Sequence, residues 1–84
     1  MKTLEISMPV GSMEEWTDAN EKLRAFRIEF DIEEIGAGTG FGFRDMSFEI
    51  PSDINSDTLL QRAKDYFDAH KIECNVWTNE FEDD

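Results

Sequence analysis

His70 and Cys74 are the two side chains best suited to soft-metal binding or nucleophilic chemistry, because the chain holds one histidine and one cysteine. A structural zinc site needs about four such ligands, and a hydrolytic triad needs a nucleophile, a base and an orienting group. Both residues also fall at positions whose spacing predicts burial. We therefore expect both to be core residues, and we predict no catalytic residue, no metal site, no cofactor and no enzymatic activity.

The glycine-rich segment 35–43, IGAGTGFGF, is the second candidate for chemistry, since such segments can cradle phosphate. No lysine follows the glycines and no G-x-G-x-x-G occurs, so neither phosphate-binding motif is present. In an extended segment, alternate residues share one face. A bare face that a helix, a ligand or a partner can approach closely is therefore expected at the glycine hairpin. It consists of Gly36, Gly38, Gly40 and Gly42.

The charge is strongly acidic, with 20 acidic and 8 basic residues and a formal net charge of −12. This balance disfavours binding to nucleic acid or to anionic membranes, because both need clustered lysine and arginine. It favours a basic protein partner through long-range attraction. The alternative is that the acidic surface only keeps a small protein in solution.

The length of 84 residues predicts one domain, which we place at residues 1–79, followed by an acidic C-terminal tail at 80–84. A single cysteine excludes an intrachain disulfide and suits a reducing cytoplasm, the compartment we expect. No signal peptide, transmembrane helix or lipidation motif is visible.

The first half of the chain predicts a strand and then a long helix. Residues 3–8 alternate apolar and polar side chains, which is typical of a half-buried strand. Ser12 and Glu15 have the spacing of a capping box, so we expect a helix to begin here. An apolar stripe at spacings of three and four continues it: Met13, Trp16, Ala19, Leu23, Phe26 and Phe30.

The end of this helix is ambiguous, because Ile28, Phe30 and Ile32 also alternate with acidic residues as they would in a strand. A shift of 40 residues along the chain aligns strand with strand and helix with helix. The chain is therefore interpreted as two strand–helix–strand copies, with the first helix over 12–30 and the second strand starting near Ile32.

The second copy predicts a strand over 41–50, a helix from Asp57 to about Lys71 capped by Asn55 or Ser56, and a last strand. Its buried positions are Met46, Phe48, Ile50, Leu59, Leu60, Ala63, Tyr66, Phe67, His70, Ile72, Cys74 and Val76. The order βαββαβ with right-handed crossovers predicts an α+β, ferredoxin-like fold: a four-stranded antiparallel sheet with two helices on one face.

This fold leaves the other sheet face uncovered, and its outward positions are acidic. The residues expected there are Glu5, Ser7, Glu33, Ser47, Glu49, Glu73, Asn75 and Trp77. None is basic, so the face suits a cationic partner. Trp77 strengthens this hypothesis, since tryptophan is enriched at interface hot spots. Alternatively, Trp77 packs under the C-terminal tail against Phe81.

Phe41 and Phe43 leave a choice open, because they are odd-numbered whereas the apolar positions of the same strand from Met46 onward are even-numbered. A bulge at Arg44 and Asp45 would place both phenylalanines in the core. Without a bulge they point outward and add an apolar patch to the acidic face. In that case both are partner-binding candidates.

Acylphosphatases have this fold and size, but their phosphate-binding loop carries an arginine between the first strand and first helix, where this chain has no arginine at 9–12.

Segment 31–50, DIEEIGAGTGFGFRDMSFEI, resembles a pattern in small ferredoxin-like bacterial and phage proteins. In these proteins a G-x-G-x-G-x-G hairpin leads into a strand that begins with an acid. Some look like immunity proteins of toxin systems, so the resemblance implies the fold and a non-catalytic binding role.

Two functional hypotheses follow from the sequence. The first is a cytoplasmic, non-catalytic protein that inhibits a basic partner, such as a nuclease or a nucleic-acid-binding protein, as an immunity-type or phage-type inhibitor that mimics nucleic-acid charge. The second is a small-ligand-binding or regulatory domain that uses the bare glycine face. Pairing of edge strands into a homodimer fits either hypothesis.

Overall fold

The computed structural model describes residues 1–40 and 42–80, which form a sheet of four strands and two helices. The strands are β1 (Lys2–Pro9), β2 (Glu34–Gly40), β3 (Phe43–Glu49) and β4 (Asn75–Glu80), and the helices are α1 (Met13–Phe30) and α2 (Ser56–Ala69). The strand order is β2-β3-β1-β4, and all neighbours are antiparallel. This is the predicted ferredoxin-like βαββαβ fold.

Alternation along β1 and β3 divides the sheet into two faces. Leu4, Ile6 and Met8 of β1 are buried on the helix side. Met46 and Phe48 of β3 lie opposite Ile6 and Leu4, so they share that side. The apolar alternation in the sequence therefore identified the core face of both central strands.

Both helices begin at the predicted caps. The Ser12 hydroxyl accepts a hydrogen bond from the Glu15 backbone N–H, and the Asn55 side chain accepts one from Thr58 N–H at the start of α2. Glu15 in turn accepts from the Gly11 N–H at 2.7 Å, which completes a variant of the capping box.

The core is centred on the ring of Phe26, which is fully buried. Phe30 and Phe67 lie 4.4 and 4.9 Å from it, and Phe48 and Tyr66 each lie 5.5 Å away. These separations fall within the range of favourable aromatic contacts. One side chain of α1 thereby contacts both α2 and the sheet.

Several sequence-based boundaries and orientations were wrong. Strand β2 consists of the glycine segment itself and begins at Glu34, because pairing with β3 orders residues that carry no hydrophobic pattern. Met13 is 75% exposed and His70 is exposed, since the apolar stripe of each helix was extended beyond the core. Strand β4 runs through Glu80, which pairs with Lys2.

The pairing of β1 with β3 is continuous from Thr3 opposite Glu49 to Pro9 opposite Phe43. No bulge therefore lies at Arg44 and Asp45, and Phe43 points outward. The pairing of β2 with β3 has a register irregularity between Glu34 and Gly36. Within the described part of the chain, neither helix has the length and apolar character needed to cross a membrane.

The central position of Phe26 predicts that Phe26→Ala lowers the free energy of unfolding by about 3–5 kcal/mol, because it removes a buried ring that four others contact. Ile28→Ala on the same helix is the matched control. Ile28 is 71% exposed, so its truncation should change the free energy by less than about 0.5 kcal/mol. Urea denaturation measures both, and equal losses would contradict this view of the core.

Candidate functional site

The sheet face opposite the helices, which we call the open face, carries three carboxylates on its two central strands. Glu5 of β1 lies opposite Ser47, and Asp45 and Glu49 of β3 lie on the same face opposite Ser7 and Thr3. Asp45 and Glu49 are exposed, whereas Glu5 is half-buried. Among the described residues, the strand positions on this face include no lysine or arginine.

Glu5 lies at the centre of the open face, between Ser47 on β3 and Trp77 on β4. Its Oε2 atom is buried and has no hydrogen-bond partner among residues 1–40 and 42–80, and the same holds for Oγ1 of the fully buried Thr3. A buried polar atom left without a partner costs about 1–3 kcal/mol. The centre of the face therefore holds acceptor atoms that the described part of the chain leaves unsatisfied.

Two aromatic side chains flank the carboxylates. Trp77 is 41% exposed and lies opposite Glu5, and Phe43 is 38% exposed and lies at the hairpin end of β3. Exposed aromatic rings beside charged groups are common in protein interfaces. Phe41 and the proposed contact of Trp77 with Phe81 lie outside the described residues.

The glycines of β2 form a bare strip beside these groups. Gly36, Gly38 and Gly40 lie opposite Ser47, Asp45 and Phe43, so they share the open face. A Cβ atom added at any of the three would meet no atom within 4 Å, and none of them has a positive φ. Neither backbone conformation nor space within the described chain requires glycine at these positions.

Gly42 differs from the other three glycines of the hairpin. It lies in the turn before β3 with a φ of +81°, a conformation that side-chain-bearing residues rarely adopt. Its carbonyl accepts a hydrogen bond from the Val10 N–H at 2.8 Å, which ties the hairpin turn to the end of β1. The positive φ of this turn therefore explains why residue 42 is a glycine.

The remaining predicted acidic residues lie at two different places. Glu33 precedes β2, and its carbonyl accepts a hydrogen bond from the Glu49 N–H at 2.9 Å, so it lies beside the open face. Glu73 precedes β4 and lines a cleft with Lys22 and Lys71 on the side of α1. The fold brings Glu5, Glu49, Trp77 and Phe43 together and leaves Glu73 apart.

The described residues contain no group of three or more histidine, cysteine, aspartate or glutamate side chains that could hold a metal ion. Cys74 is half-buried, and burial raises the pKa of its thiol to about 11, because the thiolate loses hydration. A thiol with this pKa is a poor nucleophile at neutral pH. His70 is exposed, and its ring lies 4.3 Å from that of Tyr66.

An apolar cleft of about 480 Å³ lies where the β1–α1 loop meets the hairpin, and its lining includes Val10, Met13, Trp16 and Gly42. It adjoins the start of α1, which in acylphosphatase-like proteins would bind phosphate. Here the carboxylate of Glu15 already accepts from the loop N–H of Gly11. An anion at that position would meet this negative charge.

Sequence reasoning missed a polar network on the helix side of the hairpin. Arg44 donates from Nε to the Asn20 side chain at 2.7 Å and from Nη1 to the Gly38 carbonyl at 3.1 Å. The Trp16 indole N–H donates to the Thr39 hydroxyl at 2.9 Å, and the Arg44 guanidinium lies 5.4 Å from the centre of the Trp16 ring. The change in apolar alternation at Arg44 was the one sequence feature that could have indicated this network.

Comparison of the chain with known protein families, with curated proteins and with solved structures finds no match.

Proposed function

We propose that this protein is a non-catalytic acidic binding protein that covers a basic surface of a protein partner with its open face. The partner would be a nuclease or a nucleic-acid-binding protein, because such proteins present clustered cations that normally contact phosphates. The carboxylates of Glu5, Asp45 and Glu49 would take the place of those phosphates. Inhibition follows if the covered surface is the one that binds nucleic acid.

The observation that carries this proposal is the unsatisfied oxygen of Glu5 at the centre of a face whose described strand positions include no cation. A lysine or arginine of a partner would supply the missing donor, and hydrogen bonds between ionised groups are stronger than those between neutral ones. Trp77 and Phe43 add exposed apolar area on either side. The net charge of −12 would accelerate encounter with a basic protein.

The proposal predicts that reversing two charges on the open face abolishes recognition. With tagged protein as bait in an extract of the native host at low salt, the wild type should retain one basic protein at 1:1 stoichiometry, which high salt releases. Asp45→Lys/Glu49→Lys should fail to retain it. With the purified partner, the association rate should fall at least about tenfold at low salt, and the difference should shrink as salt rises.

The matched control is Glu21→Lys/Glu29→Lys, which makes the same change in net charge at two exposed positions of α1. If the open face is the binding surface, this variant should retain the partner and associate within about threefold of the wild-type rate. Equal losses in both variants would show that only total charge matters and would contradict the assignment to this face.

The glycine strip allows a second test of the same surface. Gly38→Val should raise the free energy of unfolding by about 0.5–1 kcal/mol, because valine suits a strand better than glycine and its Cβ meets no atom of the described chain. The added side chain should nevertheless weaken partner binding by projecting from the open face. Thermal denaturation and partner affinity, measured on the same preparation, check the two effects.

Ala37→Val is the control for this substitution, because residue 37 lies opposite Met46 and therefore points to the helix side. It adds β-branched bulk to the same strand without altering the open face. Partner affinity that is unchanged in Gly38→Val would contradict a close approach over the glycine strip.

A small-ligand-binding domain is the second candidate, and the apolar cleft of about 480 Å³ favours it, since its volume lies within the range of ligand pockets. A ligand there would contact Trp16. We therefore expect a bound apolar ligand to change tryptophan fluorescence in the wild type and not in Trp16→Phe, with Trp77→Phe as the control that keeps the signal. A flat response across a metabolite panel would count against this candidate.

A further inference from the structure

A second cleft, here called the arginine cleft, lies on the helix side of the hairpin and encloses about 230 Å³. Its lining residues are Asn20, Arg24, Arg27, Glu34, Arg44 and Met46. Three of the four arginines of the chain therefore line one small cavity, although acidic residues outnumber basic ones by 20 to 8. Like charges brought together repel one another unless an anion lies between them.

Arg44 is held in a fixed orientation at this cleft. Its Nε and Nη1 atoms donate to Asn20, to the Gly38 carbonyl and to the Thr39 hydroxyl, and its guanidinium lies beside the Trp16 ring. Its Nη2 atom has no acceptor among the described residues. An arginine that its neighbours hold in place loses little side-chain entropy when it binds a further acceptor.

Arg24 and Arg27 enter the cleft from α1, three residues apart and therefore on one side of the helix. Neither guanidinium makes a hydrogen bond or an ion pair with any described residue, and Glu34, the one carboxylate of the cleft, lies beyond ion-pair distance of both. Unpaired arginines are conspicuous in a chain with so many carboxylates.

The cleft exists because two helix-side residues of β2 near the hairpin have small side chains. Ala37 and Thr39 are the helix-side residues opposite Met46 and Arg44, and both are exposed. A gap therefore remains between α1 and this edge of the sheet. The gap is lined by five polar or charged side chains and by the core residue Met46.

We propose that the arginine cleft binds a phosphate group, either inorganic phosphate or the phosphate monoester of a small molecule. Three guanidinium groups and one carboxylate give a local charge of about +2, which matches a phosphate dianion. Arginine forks pair with phosphate oxygens through two parallel hydrogen bonds, and the Asn20 side chain adds a neutral polar group. The site lies on the opposite side of the sheet from the open face, so it is independent of the proposed partner-binding surface.

The net charge of −12 opposes anion binding, but its reach is limited. At physiological ionic strength the Debye length is about 8 Å, so carboxylates elsewhere on the surface are largely screened. The three arginines would contact the anion directly, where screening is weak. The local charge therefore decides the sign of the interaction.

The test is a titration of the 15N-labelled protein with sodium phosphate, and separately with glycerol phosphate, at constant ionic strength and pH 7.5. Both ligands should shift the side-chain Nε–H signals of Arg24, Arg27 and Arg44 along saturable curves. Arg24→Gln and Arg27→Gln should each weaken binding about tenfold, which is the size expected for one charge-assisted contact. Glu34→Gln should strengthen binding about threefold by removing the local negative charge.

Arg62→Gln is the matched control, because it removes the same charge from α2, where Arg62 lies 5.1 Å from the centre of the Phe30 ring. Its phosphate affinity should equal that of the wild type. Shifts that never saturate with either ligand, or an affinity that is unchanged in Arg24→Gln/Arg27→Gln, would overturn the proposal. Partner capture by the open face should be unaffected by these arginine variants, so the two proposals can fail separately.

Discussion

The contact of Phe26 with four other rings is the interaction on which the rest of the structure depends. Phe48 comes from the sheet, Phe67 and Tyr66 come from α2, and Phe30 comes from the end of α1 itself. Small domains bury a modest fraction of their surface, so a few large side chains must supply most of the hydrophobic stabilisation. Because these rings hold both helices against one face of the sheet, the opposite face needs no apolar side chains and can be acidic.

The fold separates charge as well as polarity. Three carboxylates lie on the open face, whereas three of the four arginines lie at the cleft behind the hairpin. Strand β3 divides the two groups by alternation alone, since Asp45 points to one side and Arg44 to the other. The total charge of −12 therefore does not describe the arginine cleft, where cations outnumber carboxylates. Composition alone does not predict how charge is distributed between the cleft and the open face.

Most of the fold could be predicted from the sequence, because it depends on periodic apolar residues and on caps. The alternation at Leu4, Ile6 and Met8 predicts one buried face of a strand, and the spacing of Ser12 and Glu15 predicts a helix cap. The structure contains both features. The extent of β2 could not be predicted, since glycines carry no hydrophobic pattern and their strand is ordered by pairing with β3.

The candidate site was predictable where alternation applies, as at Glu5 and Glu49, and uncertain where it changes, at Arg44 and Asp45. Arg44 occupies a helix-side position that apolar residues fill further along β3. Its contacts with Asn20 and Trp16 join residues more than 20 positions apart. No local pattern reports such contacts, so neither the polar network nor the arginine cleft was visible in the sequence.

The position of β1 at the centre of the sheet has a consequence for how the chain folds. The first strand pairs on one side with β3 and on the other with β4, so that Lys2 lies opposite Glu80. The hairpin of β2 and β3 closes a short loop, whereas the pairing of β1 with β4 closes nearly the whole chain, and loop-closure entropy rises with that length. The pairing of β1 with β4 should therefore form last. Folding should be slow, as it is for proteins that are rich in non-local contacts.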